Sequence, residues 1–255
     1  MLGWLIHALV VLAAAFVAGA LNSMAGGGTL VTFPTLIALG IPSKAANMTS
    51  TVALWPGSLG SVWGYRRELR AADPRLFAMI VPSLAGGVIG AALLAVTPTD
   101  MFDRLLPALI LFATFLFMAQ EPIQRWFDLT AIHDARSHWL SWTMVFQLAV
   151  GIYGGYFGAG IGILMLAAMS LMGHTDIHQM NGVKNLLAVC INGIAAIYFI
   201  VVGTVLWQDA MVMAAGSIAG GIGGAGVARR LGRRALRRIV VAVGFAMAGA
   251  MMLRW

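Results

Sequence analysis

Apolar residues run along this chain in ten segments separated by short polar gaps. The first five are Trp4–Leu21, Thr29–Leu39, Ala45–Gly64, Leu76–Val96 and Leu105–Ala119. A polar stretch, Gln120–His138, follows. The other five are Trp139–Tyr156, Ile161–Met172, Leu186–Leu206, Ala210–Val227 and Ala235–Leu253. Runs near 20 apolar residues match the thickness of a bilayer core and predict membrane-spanning helices. Thr29–Leu39 and Ile161–Met172 are too short for this. At about 1.5 Å per residue each reaches about 18 Å, which predicts half-helices, re-entrant segments or continuations of a neighbouring helix.

Composition agrees with lipid as the solvent. Hydrophobic residues make up 60% of the chain and charged residues 10%, against about 25% charged in soluble domains. A soluble surface this poor in charge would aggregate. The net charge of +7 sits almost wholly in the gaps, where membrane proteins carry the cations that orient them. No nucleic-acid recognition motif accompanies it, so nucleic acid is not an expected partner. The single cysteine, Cys190, excludes an intramolecular disulfide and a thiolate metal cage. Met1–Asn22 lacks a basic start and reads as a retained helix rather than a cleaved leader.

The two short segments hold the same place, second of five, in each half, which points to an internal duplication. Shifting the chain by 134 residues brings Asn47 onto Asn181, Gly86-Gly87 onto Gly220-Gly221, and Gly90-Ala91 onto Gly224-Ala225. A shift of 133 brings Gly27 onto Gly160 and Gly40 onto Gly173. The expected organisation is a first transmembrane repeat over 1–119, a cytoplasmic linker over 120–138 and a second repeat over 139–255. Charge decides their relative orientation. The two most basic gaps, Arg66–Arg75 and Arg229–Arg238, follow the third segment of one half and the fourth of the other. Both face the cytoplasm only if each half crosses five times and the halves are inverted. Inverted repeats are characteristic of secondary transporters. The predicted fold is therefore an all-α integral membrane protein: a polytopic helical bundle of two inverted repeats, with about 8–10 transmembrane segments, two short half-helices among them.

Candidate chemistry gathers at the glycine-rich breaks. Asn22-Ser23-Met24-Ala25-Gly26-Gly27-Gly28-Thr29 precedes the first short segment, and Gly154-Gly155-Tyr156-Phe157-Gly158-Ala159-Gly160-Ile161-Gly162 precedes the second. Such breaks expose backbone N–H groups, and the helix start beyond adds unpaired donors and partial positive charge, an arrangement that holds anions. Glycines here could equally serve a tight turn or close helix packing. At the third segments, Asn47 and Thr51 share one helical face, as do Asn181 and Asn185; Thr49 and Ser50 could instead bond back to their own helix. Lys184 stands between an apolar run and this polar motif. A cation there needs a partner, for which a bound anion is one choice and snorkelling to the interface another. No carboxylate lies deep in an apolar run, so a carboxylate proton relay is not expected. His174, Asp176 and His178 read as solvated loop residues, and no metal site is expected. The G-x-S-x-G nucleophile motif is absent, and neither enzymatic activity nor a cofactor is predicted.

The run Asn22–Gly28, then Phe33-Pro34, Leu39-Gly40-Ile41-Pro42, Ala46-Asn47 and Thr49, followed by Gly151–Gly162, Gly173 and Asn181–Asn185, resembles the TauE/SafE family of sulfite and organosulfonate exporters. The likeness covers both halves in order. It implies a multi-pass permease of the inner (plasma) membrane for small sulfur-containing or carboxylated anions, with roughly eight helices against the ten segments counted here.

The expected function is a secondary transporter working by alternating access on a small anion, with a coupling proton or sodium ion and the lipid bilayer as its other partners. A homo-oligomer is compatible with the pattern. The expected substrate-binding residues are Asn22, Gly26, Gly27, Gly28, Asn47, Thr51, Gly158, Gly160, Gly162, Asn181, Lys184 and Asn185. Backbone N–H groups near Gly26–Gly28 and Gly158–Gly162 hold the anion in this reading, the asparagines and Thr51 orient it, and Lys184 offsets its charge. The alternatives are a channel-like anion pore with the same residues and a membrane subunit that hands sulfur species to a partner. The lone Cys190 speaks against the last.

Overall fold

The computed structural model describes residues 2–24, 26–129, 138–172, 174, 176–202, 205–231 and 233–253, with backbone alone for 2, 23–24, 120–129, 138–141, 171, 224–231 and 233–239. The described residues form helices and short connections. In chain order these are α1 (Leu2–Met24), α2 (Thr29–Ala38), α3 (Ser43–Gly64), α4 (Arg66–Ala71), a 3-10 turn (Pro74–Met79), α5 (Ile80–Val96), α6 (Thr99–Leu129), α7 (His138–Tyr156), α8 (Ile161–Leu171), α9 (Ile177–Val202), α10 (Trp207–Leu231) and α11 (Arg233–Met252). Among the described residues, four stretches are both long and apolar enough to cross a bilayer: Gly3–Asn22, Pro74–Val96, Thr99–Ala119 and Ile177–Val202. Large apolar side chains such as Val81, Val96, Val201 and Met211 stand outward, as lipid-facing residues do.

Several boundaries differ from the hydropathy pattern. Helix α9 starts at Ile177, nine residues before the run Leu186–Leu206, so Asn181–Asn185 lie inside its first turns rather than ahead of it. Its start is capped by Asp176, whose Oδ1 accepts from the N–H groups of His178 (2.9 Å) and Gln179 (3.3 Å). Hydropathy misses this start because the polar residues there face protein, not lipid. Helix α6 extends through Leu129, ten residues into the polar stretch between the halves. Lys44 falls in the first turn of α3, where Nζ donates to the carbonyls of Ala95 and Thr97 at the end of α5, at 2.7 and 2.8 Å, a favourable place for a cation. The side chains of the cluster Arg229–Arg238 and all of Gly173 lie outside the described residues.

The helix pairing is alike in the two halves. Helix α1 packs along α10, and α7 packs along α5. Helix α3 rests on α10 as α9 rests on α5, and α2 touches α11 as α8 touches α6. Two pairs map onto themselves, α3 with α9 and α6 with α11. Exchanging the halves therefore leaves this pattern of contacts unchanged. Glycine makes the closest of them. A methyl at Gly220 would overlap the Phe16 carbonyl of α1, and one at Gly90 the Ile152 carbonyl of α7. Without a hydrophobic drive between helices in lipid, such close backbone approach is the main source of association. Gly220→Leu is expected to lower the melting temperature by about 5 °C or more, since overpacking costs about 1–3 kcal/mol. Gly223→Leu, on the same helix with nothing within 4 Å of its would-be Cβ, should melt as the parent does. Melting curves in detergent check both.

Candidate substrate-binding site

Each short helix follows a left-handed glycine turn. Gly26 (φ 77°) lies between α1 and α2, and Gly158 (φ 80°) between α7 and α8. L-residues with a side chain rarely hold this conformation, which explains glycine at both places. The two stand 132 residues apart, as do the starts of α2 at Thr29 and α8 at Ile161. The backbone register of the breaks thus lies one residue from the Gly27–Gly160 match in the sequence. From α3 onward the register is 134, as in Ser43 and Ile177. Of the two extra residues, one lies in α8, which has 11 residues against 10 in α2, and the other in the connection after it. The breaks also meet: a Cβ on Gly26 would stand 3.1 Å from Gly162 Cα.

Most amide groups at the breaks have partners. Gly26 N–H donates to Leu21 (3.1 Å) and Gly158 N–H to Tyr153 (3.2 Å). Gly28 N–H donates to Asn22 Oδ1 at 2.8 Å. Leu30, Val31 and Ile163 donate to Gly27, Gly28 and Gly160. The N–H groups of Thr29, Ile161 and Gly162 find no acceptor among the described residues, and all three residues line one cavity.

That cavity, open on one side, spans about 540 Å³ including its mouth, where the breaks meet α3 and α9. Seven expected site residues line it: Asn22, Gly26, Thr51, Gly158, Gly162, Lys184 and Asn185. The other five lie just outside its lining. Gly27 packs on the Phe117 ring, 2.7 Å from a would-be Cβ, and Gly28 on Asn22. Gly160 forms the turn into α8 (φ 81°). Asn47 Nδ2 donates to the Tyr156 carbonyl at 2.9 Å, tying α3 to the end of α7. Asn181 donates to the Ile177 carbonyl (2.8 Å) and accepts from Lys184 Nζ (3.1 Å), so it holds the lysine rather than facing the cavity.

Lining residues come in exchange-related pairs. Thr51 and Asn185, Leu54 and Ala188, and Ser58 and Asn192 each stand 134 apart, while Gly26 and Gly158 keep the 132 register. The cavity therefore lies on the relation between the halves. Its charge does not, because the counterpart of Lys184 is Ser50. Lys184 is 1% exposed and Asn185 3%. Asn185 Nδ2 has no hydrogen-bond partner among the described residues, which is costly for a buried donor unless a ligand accepts from it. Thr51, Ser58 and Ser61 donate to the carbonyls one turn back, at 3.0, 3.2 and 3.4 Å. A cation, an amide donor and free backbone N–H groups around one hollow can bind an acceptor-rich anion.

Ser58, Ser61 and Asn192 were not expected at the site. Asn192 had a signal: an asparagine inside an apolar run, at the repeat position of Ser58. Only the packing of α3 on α9 brings both to the cavity. The loop residues take other roles. Asp176 caps α9. His174 lies 4.0 Å from Asp73; partial burial lowers its pKa, Asp73 raises it and Arg75 lowers it. No cluster of metal-binding side chains occurs among the described residues.

The model of the sulfite exporter TauE/SafE family matches residues 11–251. The chain belongs to this family. TauE/SafE proteins are membrane transporters, not enzymes, and with its apolar helices this member is a multi-pass membrane protein. Among its relatives, a probable membrane transporter protein of Haemophilus influenzae is 29% identical over 92% of this chain and 91% of its own length. The probable membrane transporter protein ORF9 of Sinorhizobium sp is 28% identical over 92% and 88%. The probable membrane transporter protein YfcA of Escherichia coli K12 is 25% identical over 93% and 87%. No solved structure matches the chain. For this TauE/SafE member, Asn185→Asp replaces a waiting donor with negative charge. The expected result is at least a tenfold loss of anion affinity with little change in fold, read from the concentration dependence of uptake.

Proposed function

We propose that the chain is a secondary carrier of the inner membrane for small anions, namely sulfite, organosulfonates or related carboxylates. The observation that carries this reading is the cavity where two broken helices meet. There, the N–H groups of Ile161 and Gly162 and the amide of Asn185, which have no acceptor among the described residues, line the cavity together with Lys184. Discontinuous helices with their N-termini aimed at an anionic group are a recurrent transporter device. Two inverted halves, each crossing five times, account for the exchange-related pairing of helices and put both arginine-rich gaps on the cytoplasmic side. Rocking of one half against the other would then open the cavity to each face in turn.

The test is uptake by proteoliposomes of radiolabelled sulfite, sulfoacetate and acetate, with and without a pH gradient. A carrier gives saturable uptake of one anion, competition by the others and counterflow. Flux that rises linearly with concentration and shows no counterflow would mean a pore. Absence of uptake by folded protein would sink the anion assignment.

A further inference from the structure

The asparagines that open the third helix of each half are equivalent by the 134-residue relation, yet their side-chain oxygens differ in fate. Asn181 Oδ1 accepts from Lys184 Nζ, three residues on, at 3.1 Å. Asn47 Oδ1 has no hydrogen-bond partner among the described residues, although Asn47 is only 1% exposed. The residue three on from Asn47 is Ser50, fully buried and the counterpart of Lys184. A buried acceptor left without a donor or a cation is destabilising, and such groups are rare in folded proteins. The orientation of the amide is fixed, because Asn47 Nδ2 donates to the Tyr156 carbonyl at 2.9 Å.

Ser50 contributes a second oxygen. Its Oγ lies 2.5 Å from Thr32 Oγ1, and Thr32 donates in turn to the Gly28 carbonyl. With the Thr32 proton on Gly28, Ser50 gives its proton to Thr32 and keeps its own lone pairs. Asn47 and Ser50 share one face of α3 by their one-turn spacing. The first half thus places two neutral oxygens where the second half places an oxygen and an ammonium. We propose that a monovalent cation, with sodium as its first candidate, binds at Asn47 Oδ1 and Ser50 Oγ. It occupies in the first half the position that the Lys184 ammonium holds in the second. Neutral oxygen ligands without a carboxylate suit a single positive charge, whereas divalent ions call for carboxylates. The cation would sit on α3 behind the cavity lining, and the fixed ammonium on α9. Each half would then offer one positive charge, one permanent and one exchangeable, which is a means of coupling transport to a cation gradient.

The site can be tested without any transported anion, so the result stands apart from the substrate reading. Thermal unfolding is followed in detergent, with sodium chloride exchanged for N-methyl-D-glucamine chloride at constant ionic strength. A ligand that binds only the folded state raises its midpoint. For a chain of this size the expected rise is about 4 °C per tenfold increase in sodium above its Kd. Asn47→Ala should abolish the sodium response. Ser50→Lys supplies a tethered ammonium and should also abolish it, with a midpoint in N-methyl-D-glucamine chloride no lower than that of the parent. This variant separates a lost site from a lost fold. A parent protein equally stable in sodium, lithium, potassium and N-methyl-D-glucamine overturns the proposal, as does a sodium response that survives in both variants.

Discussion

Lys184→Met lowers anion affinity about 100-fold and leaves the substrate-free protein at least as stable as its parent. That is the expected result, and its two parts come from the same burial. Removing one partner of a desolvated charge pair costs about 2–5 kcal/mol of binding, and each 1.4 kcal/mol is tenfold in affinity. In the empty carrier the ammonium, at 1% exposure, carries a desolvation penalty that methionine does not. Replacing a buried charge by an apolar side chain of similar volume is often neutral or stabilising. The Asn181 oxygen that loses its donor is partly exposed and can turn to water. Lys184→Arg should not restore full function, because the planar guanidinium needs room and a fork of acceptors that an ammonium does not. The concentration dependence of uptake and a melting curve read both parts. Unchanged affinity in the methionine variant would remove Lys184 from the site.

Gly26→Val should abolish transport. The substitution meets two obstacles. Gly26 has φ 77°, where a β-branched residue is a severe outlier. Its Cβ would also stand 3.1 Å from Gly162 Cα and 3.3 Å from Gly162 N, tight enough that this backbone must shift to admit it. Relief requires the two breaks to part, which moves the free N–H groups of Ile161 and Gly162. Displacement of about 1 Å at a positioned group can cost 100-fold. Gly40 separates strain from contact. It has φ 83° as well, but nothing lies within 4 Å of its would-be Cβ. Gly40→Ala should therefore cost about 1–2 kcal/mol of stability and keep transport, while Gly26→Ala should impair both. Equal transport in the two alanine variants would show that contact between the breaks is irrelevant to function.

Several features were already written in the sequence. A charge fraction this low leaves lipid as the only suitable solvent, and the lengths of the apolar runs give most helix positions. Glycine is obligatory at left-handed turns, so the breaks at Gly26 and Gly158 are visible as glycine runs ahead of short apolar segments. Close helix contacts also demand glycine, and Gly86-Gly87 and Gly220-Gly221, 134 residues apart, both stand at such contacts.

Other features belong to the tertiary structure alone. The sequence gives no sign of which glycine of a run bends and which packs: Gly26 turns, whereas Gly27 lies flat on Phe117. Hydropathy starts α9 nine residues late, because a scale built on transfer to lipid cannot know that Lys184 and Asn185 are buried in protein. The division of the polar residues between cavity and scaffold is also decided by packing. Asn47 and Asn185 look alike along the chain, yet one braces the end of α7 while the other turns an unpartnered amide into the cavity. Sequence determines what each segment can be dissolved in and where its backbone can bend. Which side chains share one hollow depends on contacts between residues more than a hundred positions apart, and no local pattern encodes those.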